Sequence, residues 1–215
     1  MRRMALFLAL LLPLPATAVD LAAGLSEALI IGTQCVVAQL GRPGSFLNDA
    51  KLHIPLPSPL DQLRPALTTF GLGGLADDLE VRLNHAAEAA MPVAGELLVQ
   101  AIRNLSFQDA AGILTGPNDA ATRYLERQTD VPLAEHMRPL VEASLAETGA
   151  IRAWDALTSR YGALPFLPDL KADLTGQVVS YAKAAIFDRL GVEEARIRAD
   201  PAARTTELLR QVFGG

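Results

Sequence analysis

Residues 79–90 read Leu79-Glu80-Val81-Arg82-Leu83-Asn84-His85-Ala86-Ala87-Glu88-Ala89-Ala90, and this stretch decides the fold class. Leu79, Leu83, Ala86, Ala87 and Ala90 recur at three- and four-residue spacing, which puts them on one side of an α-helix. Ala and Leu are also among the strongest helix formers. The polar residues Glu80, Asn84 and Glu88 recur every fourth position and line up as a row beside the apolar face. Glu80 is nearest that face and Glu88 furthest from it.

Outward from this helix the same periodicity continues, and alternating β-branched runs are nearly absent. The reading is an all-α chain, one compact multi-helix domain. The first helix is expected over 20–40, with Asp20 as its cap and Gly41 ending it in the left-handed conformation. Its face carries Leu25, Leu29, Cys35-Val36 and Leu40, which makes Cys35 a small buried hydrophobe. Residues 41–58 hold Gly41, Pro43, Gly44, Pro55 and Pro57, together with Phe46, Leu47, Leu52, Ile54 and Leu56. Such a segment is too apolar for a linker and too rich in proline for a helix, so it reads as an ordered strap lying across the helices.

A short helix capped by Ser58 follows and stops at the glycines of 71–74. Helix resumes over 76–104, with a break or kink expected at Pro92. Ser106-Phe107-Gln108-Asp109 has the form of a capping box, with Asp in the place of Glu. Further helices are expected over 119–128, capped by Asn118, and over 132–161 with a joint at Gly149. After a loop at 162–171 come 173–190, 192–199 and a last helix opened by Pro201. No repeat, charge block or Gly/Ser linker divides the chain.

The N-terminus has its own grammar. Arg2 and Arg3 precede an apolar run over 5–14, and Ala16-Thr17-Ala18 supplies small residues for cleavage. That is the layout of a signal peptide over 1–18. The run is too short to be a membrane anchor, which needs about 18 or more apolar residues. The expected product is a soluble periplasmic domain over 19–215, without a transmembrane segment. Loss of Arg2 and Arg3 takes the formal charge from −5 to −7. An acidic chain without a basic stripe is a poor partner for nucleic acid or anionic lipid. The single Cys can form no intrachain disulfide, so stability must come from the core.

Little in the sequence points to a particular chemistry. His53, His85 and His136 have no zinc-helix spacing and no Cys cluster to join, so no metal is expected. No nucleophile elbow and no phosphate loop is present. Gly71 to Gly74 reads as a turn, and Asn104-Leu105-Ser106 as a helix cap rather than a glycosylation site. His85 and His136 sit among charges and are expected in solvent, and Trp154 and Tyr161 are expected to pack together. No catalytic residue and no cofactor is assigned.

Two polar groupings remain as candidate ligand-binding residues. The first is the row Glu80, Asn84 and Glu88. It either lines a cleft, or its upper members Glu80 and Asn84 hydrogen-bond the strap while Glu88 faces water. The second is the tail, where Thr205 falls within the apolar face of Leu208, Leu209 and Val212 and Arg204 sits at its edge. Arg204 needs a carboxylate, for which Glu80 and Asp109 are candidates. The pair either fixes the fold or anchors an anionic ligand.

The residues just weighed also resemble a known family. The strap motif Leu40-Gly41, Gly44-Ser45-Phe46, Asn48 and Ile54-Pro55-Leu56-Pro57 is similar to that of a bacterial family catalogued as domain of unknown function 4197. So are 79–88, Asp109-Ala110 with Ile113-Leu114, Ala120-Ala121-Thr122 with Tyr124, and 201–209. His85 stands where that family commonly has Arg. The resemblance implies an exported, helical bacterial protein and no particular activity. It also draws the strap, the Glu80 row and the Arg204 tail together as one site.

The functional expectation is a periplasmic helical binding or interaction module. It would recognise an unknown protein or small-molecule ligand at a groove between strap and row. A carrier of an apolar or lipid-like ligand, held in a cavity between helices, is the first alternative. A hydrolase using Glu80 or Asp109 as general base is the second.

Overall fold

The computed structural model describes residues 17–199 apart from 70, 72, 148 and 161–169. Seven helices make up this part of the chain: α1 (Thr17–Leu40), α2 (Ser58–Thr69), α3 (Gly73–Arg103), α4 (Phe107–Thr115), α5 (Ala120–Glu147), α6 (Ala150–Arg160) and α7 (Leu170–Ala199). There is no β-strand among the described residues. The chain is all-α.

α3 is the axis of the fold, and α1, α2, α5, α6 and α7 all pack on it. Its alanines explain how one helix serves so many neighbours. Ala86, Ala87, Ala90 and Ala94 are wholly buried beside Leu79, Leu83, Met91 and Leu98, and small side chains let neighbouring backbones come close. At Gly95 a β-carbon would stand 3.0 Å from Val37 of α1, a contact tight enough that the Val37 side chain would have to give way, so glycine eases the approach. The apolar face read from 79–90 is therefore core at every position.

Several boundaries differ from the sequence reading. α1 is already helical at Thr17, so Asp20 does not start it. Gly41 is not left-handed. It presses on α3, where a β-carbon would lie 3.4 Å from that of Met91, and the left-handed turn falls at Gly44 instead (φ 79°). Cys35 is exposed rather than buried. The inward face of α1 centres on Val36, Val37 and Leu40, and at 100° per residue Cys35 is rotated out of it.

Pro92 does not break α3, and Pro132 and Pro139 do not divide α5. Pro92 and Pro139 are exposed and Pro132 is half-buried. There the carbonyl one turn earlier can turn to water, which removes much of the penalty of a missing N–H. Gly191 likewise lies within α7, facing Thr122 of α5 at close range. Gly149 is the joint between α5 and α6, in the left-handed conformation (φ 75°). Tyr161, Arg204, Thr205 and the last expected helix lie outside the described residues, while Trp154 is buried in the core.

One stretch, Ala23–Leu40, is long and apolar enough by composition to cross a membrane (18 residues, mean hydropathy 1.3). In this fold its Leu25, Val36, Val37 and Leu40 are core residues.

Candidate functional site

Residues 41–57 carry no helix and cross the fold against α3 and α7. Phe46, Leu52, Ile54 and Leu56 point inward and are buried. Burying non-helical backbone leaves N–H and C=O groups that must find partners, and the row on α3 supplies them. The Asn84 side chain accepts from the Ile54 N–H at 2.9 Å and donates to the Ile54 carbonyl at 2.9 Å. Its Nδ2 also donates to the Glu80 carbonyl at 2.8 Å. Glu88 accepts from the Phe46 N–H at 3.2 Å. Gln177 of α7 donates to the Pro55 carbonyl at 2.8 Å, and Arg189 of α7 pairs with Asp49.

Glu88 is therefore buried beneath the strap and does not face water. The strap drapes over the far end of the row as well as the near one, a course the helical spacing alone could not reveal. Glu80 plays a different part. One oxygen meets His53 Nε2 of the strap at 2.8 Å, and the other pairs with Arg64 of α2. Arg64 also reaches Asp77 at 2.6 Å and Asp61 at 3.2 Å. Its guanidinium is held yet more firmly protonated, chiefly by the bond to Glu80. Glu80 thus ties strap, α2 and α3 together.

Asp109 lies elsewhere, in the first turn of α4. Ser106 Oγ accepts from the Asp109 N–H at 3.1 Å, and Asp109 Oδ2 accepts from the Ser106 N–H at 3.1 Å and from its hydroxyl at 2.5 Å. This is the reciprocal capping box. These bonds hold the Asp109 carboxyl below the usual aspartate range. Both carboxylates considered as partners for Arg204 already have partners of their own.

Asp109 opens onto a cleft of about 370 Å³ between α4 and α5, whose other polar members are Gln108, Arg123, Tyr124 and Arg127. Arg123 is engaged by Asp119 at 2.7 Å. The Tyr124 ring is buried, and desolvation, with the Asp109 charge second, pushes its hydroxyl above the ordinary value. Arg127 is exposed and interacts with Asp109 through space. A larger depression of about 590 Å³ runs between α1 and α3 past Gly41, Gly95 and Val99. Its polar groups, such as Gln34 and Gln100, stand exposed on the rim, so it lacks the inward polar groups that orient a small ligand.

The start of α5 is held by a residue that sequence reasoning missed. Glu194 of α7 accepts from the N–H groups of Ala121 (3.0 Å) and Thr122 (2.9 Å) and from the Thr122 hydroxyl (2.8 Å). Arg198 pairs with Glu194 at 2.8 Å and donates to the Ile113 carbonyl of α4 at 2.8 Å. An acid capping a helix 73 residues away in sequence leaves no local signal. His53 and Arg64 were missed for the same reason. Tyr124 stood among the family motif residues, but nothing in its spacing pointed to a cleft.

Among the described residues, no group of three His, Cys, Asp or Glu side chains is placed to hold a metal. A cavity beside Glu194 and Thr33 has room for about 40 Å³.

The family model for the protein of unknown function DUF4197 matches residues 16–214. The chain belongs to that family. No curated protein and no solved structure matches it. The quoted motifs of the DUF4197 chain now have physical meaning: the strap motif and 79–88 are two sides of one hydrogen-bonded seam. Asp109 and Tyr124, from two further motifs, face one cleft.

Proposed function

We propose that this is an exported helical binding module, that it recognises a small ligand, and that its recognition site is the α4–α5 cleft rather than the strap. The observation that carries the reading is the division of labour among polar groups. Asn84, Glu88 and Glu80 are committed to strap and α2, whereas Arg127, Tyr124 and Asp109 converge on an open cleft. A few convergent polar groups in a concave, partly apolar setting are what a small-molecule site requires.

Export rests on the leader: Arg2 and Arg3, the apolar run, and Ala16-Thr17-Ala18. Cleavage after Ala18 would trim α1 by two residues and leave its core-facing part whole.

The two alternatives have less support. A lipid-like ligand needs an enclosed cavity of several hundred Å³; the pocket beside Glu194 offers about 40 Å³, room for a few waters, and the larger depression between α1 and α3 is open to solvent. A hydrolase's general base works best with its pKa raised towards neutrality. Asp109 is shifted the opposite way, and Glu80 is saturated by Arg64 and His53.

Native mass spectrometry of the protein recovered from the periplasm, after expression with its own leader, tests the proposal. The expected result is a chain beginning at Val19 that carries a small molecule, and an Arg127→Gln variant that does not. A chain retaining Met1 in the cytosol overturns the export reading. A small molecule equally present in Arg127→Gln overturns the choice of cleft.

A further inference from the structure

We infer that the α4–α5 cleft binds a small zwitterion, a molecule bearing both an ammonium and a carboxylate group, as a free amino acid or a peptide end does. This rests on the reading of the cleft as the recognition site. It adds the chemistry of the ligand.

The cleft carries two opposite charges that do not neutralise each other by contact, Asp109 held in place and Arg127 exposed at its edge. Asp109 is oriented by its capping bonds to Ser106, at 3.1 Å from the N–H and 2.5 Å from the hydroxyl. Because those bonds favour the charged form, it stays ionised well below neutral pH. Arg127, on α5, feels that charge only through space, and no described residue forms an ion pair with it. Arg123, one turn earlier on α5, is occupied by Asp119 at 2.8 Å through Nε and 2.7 Å through Nη2. Of the two guanidinium groups lining the cleft, Arg127 is the one left to recognise a ligand. The buried Tyr124 keeps its proton and directs its hydroxyl to Asp109, which adds to the hold on that carboxylate.

Charge complementarity then selects the ligand. A simple anion would suit Arg127 but would be repelled by Asp109. A simple cation would meet the reverse conflict. A zwitterion satisfies both: its carboxylate can take a paired hydrogen bond from the Arg127 guanidinium, and its ammonium can donate to Asp109. Its net neutrality also fits a protein whose net acidity, −5 with the leader and −7 without it, gives small anions no long-range attraction. A cleft of about 370 Å³, walled in part by Ile113, Pro117 and Ala120, has room for a short side chain.

The test is an amide-resolved NMR titration of the mature chain with four probes: L-valine, trialanine, propionate and propylamine. L-valine or trialanine should shift the amides of residues 108–127 saturably, and propionate and propylamine should bind about tenfold more weakly or worse. Preference for L-valine assigns a free amino acid, and preference for trialanine a peptide. Arg127→Gln and Asp109→Asn should each weaken the preferred probe by about tenfold, with the thermal midpoint of Arg127→Gln unchanged. Asn at position 109 still accepts from the Ser106 N–H, so that variant keeps most of its cap. Propionate binding as tightly as L-valine, and more tightly in Asp109→Asn, overturns the zwitterion but leaves the cleft as an anion site. Binding by none of the probes also overturns it. Whether Arg127→Gln strips the molecule carried from the periplasm then decides the cleft itself.

Discussion

The side chain of Asn84 occupies both backbone hydrogen-bonding groups of Ile54, one residue of α3 holding the strap as a paired strand would. Both residues are fully buried, so the amide has no competitor. Replacing it leaves an N–H and a C=O stranded in the core. At about 1–3 kcal/mol for each buried unsatisfied group, Asn84→Ala is expected to cost about 2–4 kcal/mol in urea unfolding. Asn84→Asp should be no better, because it cannot donate to the carbonyl and buries a charge. Wild-type stability in Asn84→Ala would mean that the strap is not anchored there.

The Glu194–Arg198 pair, with 6% and 10% of its side chains exposed, should behave as a buried ion pair. Removing one partner strands the other and typically costs about 3–5 kcal/mol. Glu194→Ala also uncaps the start of α5. Glu194→Ala should therefore destabilise strongly, and more than Arg198→Met, which leaves Glu194 still bonded to Ala121 and Thr122. Equal, small losses for both would contradict the capping role.

The Arg64–Glu80 contact is less shielded, since the Arg64 side chain is 32% exposed. A double-mutant cycle on Arg64→Ala and Glu80→Gln is expected to give about 1 kcal/mol of coupling or less, falling as salt is added. Much larger coupling that ignores salt would point to a fully desolvated pair.

Asp109 gives a pH dependence of definite sign. Its folded pKa is depressed, first by the Ser106 hydroxyl and then by the Ser106 backbone. Its stabilising effect is present above the unfolded value of about 3.9 and is lost as pH falls from there through the folded value. The start of α4 should hold at neutral pH and loosen only in strong acid, read from the Ser106 and Asp109 amide shifts. In Ser106→Ala the same titration should move up towards the ordinary range. An unchanged midpoint would show that the cap does not set it.

Local signals carried much of the fold. Helical periodicity located α3 and its buried face, and the Ser106–Asp109 spacing gave the cap of α4. The proline-rich composition of 41–57 marked the strap. What escaped were the consequences of packing. Whether Pro92 or Pro139 ends a helix depends on whether the freed carbonyl meets water, and that is decided by neighbours distant in sequence. Glu88 looked like the outer member of its row because helical angle ranks residues on an isolated helix, while the strap adds a second surface. His53 and Arg64 reach Glu80, and Glu194 reaches Ala121, across 16 to 73 residues of chain, a distance no local pattern encodes. The cleft was invisible for the same reason: Asp109 and Tyr124 belong to different helices.

Amide hydrogen exchange at Ile54 and Phe46 tests most directly whether the polar row of α3 serves to hold the strap. Both N–H groups should exchange as slowly as the core of α3, and the Ile54 amide should become fast in Asn84→Ala while α3 stays protected. Exchange at either amide as rapid as in an exposed loop of the wild-type protein would mean that the row is free for another purpose.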